Sequence, residues 1–387
     1  MSNIEIRGIW LTTTDSNVLS SQAQITEAMA FLAETGFNVV FPVVWNKAAT
    51  QYPSQLMRQQ FGIEINQQFI GRDPLAEVVE AAHEVGLKVI PWFEYGFASS
   101  YNLNGGMLLA KKPEWIARDI QGNLLKKNGF EWMNALDTQV QKFMSDLILE
   151  VVNNYDVDGI QGDDRLPAFP SEGGYDQGTR ERYYRQFGKN PPTNSKNKQW
   201  LQWRADILTQ FWAKLYHQIK AINPNIVVCI SPNIHDWAYQ EYLQDSPTCL
   251  KQGIVDMIHP QIYRYDFKSY KKIIRKLVAE QFTNLNLPKL APGILMKLGS
   301  YTISPDYLLQ AIECDRSFGV NGEVFFFYEG LRENNNQLAK VLKSNFYTKS
   351  ATFPTIYDLH QPNLQQRNSS QSTSLWDKLQ TFLHKPE

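Results

Sequence analysis

Val157-Asp158-Gly159-Ile160-Gln161-Gly162-Asp163-Asp164-Arg165 reads as a short buried strand that stops at two adjacent carboxylates and an arginine. Side chains alternate across a strand, so Ile160 and Gly162 share one face and Gln161 and Asp163 the other. With the apolar face against helices, Gln161 and Asp163 point into the interior of a barrel. Asp156 and Asp158 lie at the strand's other end and read as structural.

The same unit recurs on both sides of this stretch. Arg7–Thr13 is the first expected strand, and a helix follows from Ser21, where Ser21 and Gln24 can form a capping box. Phe37–Val44 is an apolar run, as a strand covered on both faces requires. Asp73-Pro74 opens the second helix, with Asp as N-cap and Pro in the first turn. Leu87–Phe93 is strand three, and a helix from about Asp137 to Tyr155 precedes the opening strand. Beyond it come strands at Ile226–Ser231, Asp256–Tyr263, Lys289–Ile294 and Glu323–Tyr328. Their helices are expected from Lys198 to Ile222, from about Tyr239, over Ser269–Gln281, from Ser304-Pro305 to Gly319, and over Arg332–Ser344. Eight β-then-α units predict an α/β fold, a (β/α)8 TIM barrel over residues 1–346. A doubly wound open sheet is the alternative, but no Gly-rich turn follows the first strand. The segments after strands two, three and four (Asn46–Arg72, Tyr95–Leu136 and Asp164–Asn197) are long βα loops on the face where barrel enzymes keep their sites. Residues 347–387 form a C-terminal tail, with a Gln-, Asn- and Ser-rich linker at Asn363–Ser374 and a possible short helix over Ser374–His384.

Composition narrows the function classes. Across 387 residues, 43% are hydrophobic and 20% charged, so the chain can bury a sizeable core. Its net charge of −1 carries no basic footprint, which argues against nucleic acid. The start shows no charged and apolar leader, and no apolar run approaches the roughly 18 residues of a membrane span. Three scattered cysteines fit a reduced, cytoplasmic protein. The six histidines make no His-x-x-x-His and no cluster with cysteine, so no metal or other cofactor is expected. Walker spacing and a Gly-x-Ser-x-Gly elbow are both missing. Oligomeric state is left open.

Strand parity also sorts the other polar residues. His259, Gln261 and Tyr263 face inward in strand six, as do Ser231 and Asn233 after strand five. The barrel top is therefore polar, which suits a hydroxyl-rich ligand. Cleaving a glycosidic bond needs two carboxyl groups, one to donate a proton and one to act as nucleophile or base. Asp163 is the expected ionised member, because Arg165 and turn amides can hold its charge; Asp164 is second. Glu94, flanked by Trp92, Phe93 and Tyr95, is the expected acid, since an apolar setting raises a carboxyl pKa. Glu329 and Asp236 are the next candidates. Trp10, Trp45, Trp92 and Tyr95 are expected to stack on sugar, and Gln161, Arg165, Asn233, Asp236, Gln261 and Tyr263 to bind its hydroxyls. A barrel that binds carbohydrate without hydrolysing it is the alternative. A second carboxyl within roughly 10 Å of Asp163 separates the two.

Six segments together resemble the glycosyl-hydrolase-like family 10. They are Arg7-Gly8-Ile9-Trp10-Leu11-Thr12, Gly36-Phe37-Asn38-Val39-Val40-Phe41-Pro42-Val43, Val89-Ile90-Pro91-Trp92-Phe93-Glu94-Tyr95, Asp158-Gly159-Ile160-Gln161-Gly162-Asp163-Asp164, Ile230-Ser231-Pro232-Asn233 and Pro260-Gln261-Ile262-Tyr263. The resemblance runs from about Arg7 to Ser344. It implies a TIM barrel and a carbohydrate substrate; some members act on peptidoglycan glycan strands. The family's aspartate pair maps onto Asp163 and Asp164. Gly162 stands where the family pattern has a bulky aromatic, Arg165 where it often has an aromatic or His, and Glu94 where it often has Asn.

Overall fold

The structure is a computed structural model that describes residues 3–320 and 322–360. Eight parallel strands run in chain order: β1 (Ile6–Leu11), β2 (Val39–Pro42), β3 (Lys88–Val89), β4 (Gly159–Gly162), β5 (Val227–Ile230), β6 (Met257–Ile258, resuming at Gln261–Ile262), β7 (Gly293–Leu295) and β8 (Gly322–Phe326). β8 pairs with β1, and each strand from β4 to β7 pairs with its successor, as do β1 and β2. The ring closes between β3 and β4 through a bridge from Trp92 to Gln161. Prolines account for the two interruptions: Pro91 and Pro260 have no N–H to donate, and the ladder breaks at both.

The outer ring is α1 (Gln22–Thr35), α2 (Pro74–Glu84), α3 (Thr138–Asn154), α4 (Lys198–Ile222), α5 (Ser246–Gln252), α6 (Phe267–Gln281), α7 (Pro305–Ser317) and α8 (Tyr328–Asn345). Local sequence explains their limits. Ser21 accepts from the Gln24 amide and Gly36 ends α1 at φ 104°. Such a cap contributes about 1 kcal/mol. Asp73 caps α2 with Pro74 behind it. The helix expected from about Tyr239 is in fact two, His235–Tyr242 and α5, because Leu243 turns left-handed at φ 55°. The expected eighth strand also ends earlier than its apolar run. It stops at Phe326, and Tyr328 and Glu329 already belong to α8.

The segments after β2, β3 and β4 carry structure of their own. They hold a hairpin (Trp45–Asn46 with Ala49–Thr50), a three-stranded antiparallel sheet (Ala98–Tyr101, Lys126–Lys127 and Phe130–Trp132) and a helix (Gln177–Phe187). One close approach fixes how the β3 segment meets β4. Gly96 has φ 49°, and a Cβ there would lie 2.1 Å from the Arg165 carbonyl oxygen. Gly162 is equally constrained: a Cβ would meet the Leu166 carbonyl at 2.4 Å and the Trp212 ring of α4 at 3.0 Å. The indole of Trp212 thus stands where a side chain at position 162 would go.

The chain does not leave the barrel at residue 346. Ala351–Thr352 pairs in parallel with Asn3–Ile4. Tyr347 is buried, donates to Glu323 Oε1 at 2.8 Å and lies under the Arg7 guanidinium at 4.3 Å. The short helix Ile356–His360 ends with the His360 ring 3.0 Å from the buried Asp256 carboxylate. The expected linker and terminal helix lie outside the described residues. Cys229, Cys249 and Cys314 are buried free thiols. Among the described residues no helix is long and apolar enough to cross a membrane.

Two substitutions test this frame. Tyr347→Ala should lower unfolding stability by about 3 kcal/mol, since it removes a buried ring and leaves Glu323 short of a donor; denaturant titration measures it. Gly96→Ala should cost about 3 kcal/mol or more, from a backbone clash added to a left-handed φ. A Gly96→Ala protein as stable as the parent would show that the Arg165 contact is loose.

Candidate active site

The acids meet at the C-terminal mouth of the barrel, around Arg165. Its Nη1 lies 3.0 Å from Asp164 Oδ1. Its Nη2 lies 3.1 Å from Asp163 Oδ2 and 3.8 Å from Glu94 Oε1. Nε donates to the Glu94 backbone carbonyl at 3.0 Å. The guanidinium also rests on Phe130, 4.6 Å from the ring centre, and nears Tyr95. Asp163 Oδ1 accepts from Gln261 at 2.9 Å, and Asp164 Oδ2 from Asn233 at 3.1 Å. Glu94 Oε2 accepts from the Asn46 side-chain amide. Tyr263 lies face-near to Phe326, with centroids 5.3 Å apart. The hairpin after β2, the turn after β3 with the antiparallel strand at Phe130, the end of β4, the segment after β5, the second half of β6 and the end of β8 therefore converge.

Electrostatics follow from three carboxylates sharing one cation. Burial, then the charge of Asp164, pushes Glu94 up to about 7, against Arg165, Lys47 and the Asn46 hydrogen bond. Burial also pushes Asp163 well above the carboxylate range, with Asp164 adding to it and Arg165 opposing. Burial works against the charge of Arg165, but Asp164, Asp163 and Glu94 outweigh it and raise its pKa. Tyr263 is pushed far up by burial and then by the same acids, so it stays a neutral phenol.

Several expected site residues take other places. Asp163 was expected to be the ionised, reacting carboxylate. Its side chain is only 3% exposed, both oxygens are engaged, and burial favours its protonated form. Asp164 and Glu94, at 21% and 16%, reach the open face. Trp10, Trp45 and Gln161 are essentially without exposed surface, so they pack rather than touch a ligand. Trp10 donates to Gln161 Oε1 at 2.6 Å in the barrel interior, and Trp45 donates to the Gly96 carbonyl with its ring against Phe143. Trp92 and Tyr95 are nearly as buried. Asp236 is exposed on its helix and paired with Lys276. Glu329 accepts from Ser16 at 2.6 Å on the first βα segment, and among the described residues shows no contact with the Arg165 cluster. Arg165, Asn233, Gln261 and Tyr263 do gather at the acids.

Sequence reading missed three contributors. Asn46 holds Glu94; its place just past a barrel strand was the available signal. Phe326 forms ring contacts with Trp10, Trp92 and Tyr263, and its apolar run concealed it. Gln244 donates to the Asp163 backbone carbonyl at 2.8 Å from a loop that no motif marks.

Known proteins place the chain more firmly. Glycosyl hydrolase DigH of Escherichia coli strain K12 is 27% identical over 305 residues, 68% of this chain and 66% of that protein. The chain thus covers just under two thirds of that relative's length. Glycosyl hydrolase YngK of Bacillus subtilis strain 168 is 23% identical over 393 residues, covering 92% of this chain and 74% of that one. Among solved structures, the PgaB (BpsB) glycoside hydrolase domain of Bordetella bronchiseptica superposes with a TM-score of 0.66 at 12% identity. It covers 90% of this chain and all of that domain. The catalytic domain of a Paenibacillus polymyxa β-amylase gives 0.62 at 9%, covering 91% of this chain and all of that one. At such identities the shared property is the fold, a TIM barrel. Residues 5–309 match the family described as Glycosyl hydrolase-like 10, and the chain belongs to that family.

Proposed function

We propose that the protein is a glycoside hydrolase acting on a polysaccharide or peptidoglycan-type glycan, without a metal. One observation carries the reading. Asp164 and Glu94, the two carboxyls that reach the open face, place oxygens on the two terminal nitrogens of Arg165, at 3.0 and 3.8 Å. Those oxygens are therefore no more than about 9 Å apart, which does not exceed the widest separation glycosidases use. Asp163, on the same nitrogen as Glu94 at 3.1 Å, holds that arginine from below. A barrel that only bound sugar would have no need to gather three carboxylates on one arginine.

The roles follow from exposure and charge. Glu94 reaches the open face and holds a proton near neutral pH, so it is the general acid. It gives that proton to the glycosidic oxygen as the bond to the anomeric carbon breaks. Asp164 also reaches the open face, and its carboxylate supports the positive charge that develops on the sugar, acting at the anomeric carbon as nucleophile or as the base that takes a proton from the water attacking that carbon. Asp163 is the buried member. It fixes Arg165 and Gln261, and through them the two carboxyls above it. Tyr263 and Phe326 offer ring surface to the sugar.

The pH dependence has a definite sign. Glu94 works while protonated, a state populated below its pKa of about 7 and lost as pH rises through it. The rate kcat/KM should therefore fall along an alkaline limb centred near that value. Glu94→Gln should lose roughly 10²–10⁴-fold on a natural glycan, lose the limb, and keep much of its rate on an aryl glycoside whose leaving group needs no proton. Asp164→Asn should be slow on both substrates. The assay is release of reducing ends from a glycan panel. Unchanged turnover in a folded Glu94→Gln protein would sink the assignment.

A further inference from the structure

The hairpin after β2 has features that its own stability does not explain. Trp45–Asn46 pairs with Ala49–Thr50, joined by Lys47 and Ala48. Both turn residues are left-handed, at φ 51° and 60°. A two-residue turn of this kind normally takes Asn-Gly, because left-handed backbone disfavours residues with a Cβ. Asn46 is 1% exposed, and its Oδ1 has no hydrogen-bond partner among the described residues. A buried acceptor left unpaired is costly. The other end of that amide, Nδ2, donates to Glu94 Oε2.

The hairpin is also fastened to the turn that carries Glu94. The Trp45 indole donates to the Gly96 carbonyl at 3.0 Å, and the Tyr95 amide to the Trp45 carbonyl at 3.2 Å. The Val44 amide donates to Trp92 at 2.9 Å. Asn46 and Glu94 are thus held at fixed separation by backbone bonds on both sides.

We infer that this hairpin is a positioning device for Glu94, with Asn46 as the positioning residue and Lys47 as its supporting charge. The inference rests on the reading of Glu94 as proton donor. An amide N–H can only donate, so Asn46 favours the carboxylate that Glu94 becomes once its proton has left. Lys47 acts in the same direction, as does Arg165 from the end of β4. Asp163 and Asp164 from the end of β4 act against them, and among the described residues the phenols of Tyr95 and Tyr263 also face the carboxyl. Without Asn46 the acid holds its proton too tightly and loses its aim.

The test follows the Glu94 carboxyl itself, by carbon NMR of the full chain labelled at glutamate Cδ, with Glu94→Gln assigning the signal. Asn46→Leu and Asn46→Ala should move its titration upward by about half a unit or more. Lys47→Met, an exposed site that leaves the core intact, should move it the same way by less. On a cleaved glycan, the Asn46 variants should lower kcat more than they change KM, and shift the alkaline limb with the NMR titration. If Asn46→Leu does not fold, Asn46→Ala decides. Either variant, folded by circular dichroism and titrating as the parent does, overturns the inference. A shifted titration in a protein that cleaves no glycan would support the positioning role and overturn the hydrolase reading. Cleavage by the parent with an unmoved titration would do the reverse.

Discussion

A single guanidinium governs the mouth of this barrel. Arg165 faces Asp163, Asp164 and Glu94, so the cluster holds more potential negative charge than one cation neutralises. Where water is largely excluded, charge–charge energies are several times those in solvent. The excess is relieved by keeping protons on carboxyls, and an acid poised near neutrality results. Arg165 can do this only because it is itself immobilised. Its Nε is on the Glu94 carbonyl, its plane rests on Phe130, and its own carbonyl accepts from Phe97 at 3.1 Å. Networks of this kind add little to stability, yet leave a costly orphan if one partner is removed.

The layer below the acids keeps that environment dry. Trp10, Phe41 and His259 fill the barrel interior, with the Gln161 amide bonded to Trp10 and within 3.6 Å of the Cys229 sulfur. Among the described residues the His259 ring makes one hydrogen bond, donating from Nδ1 to the Ala291 carbonyl at 2.9 Å, and burial lowers its pKa to about 4, so it is neutral at ordinary pH. Trp10, Phe41, Gln161 and the neutral His259 bring no charge of their own to compete with Arg165. The acid's tuning is therefore a property of the barrel's filling as much as of its rim.

Alternation along a strand made the inward residues legible. Asp163, Gln261, Asn233 and Tyr263 were readable because each follows an apolar strand and shares parity with the interior. Parity says nothing about depth. Gln161 shares a face with Asp163 but lies two residues, about 7 Å, further down the axis, where Trp10 covers it. Trp45 was misread for a related reason: its strand ends in a hairpin that folds the ring back onto α3. Asp236 and Glu329 sit near strand ends in sequence, but the helices that follow carry them to other partners. Asn46 and Gln244 depend on loop paths that no periodicity encodes. The strap from Tyr347 to His360 was hidden because its polar composition resembles a linker while its few anchors, Tyr347 and His360, are single residues.

That strap sets an order of events in synthesis. Among the described residues Asn3–Ile4 pairs with Ala351–Thr352 alone, and β1 pairs with β8. At ribosomal rates of about 5–20 residues per second, β1 waits roughly fifteen to sixty seconds for that neighbour. During this interval one edge of β1 is an open row of amides and carbonyls, the geometry that recruits foreign strands. The nascent chain thus carries an unpaired edge along β1 until β8 has been made.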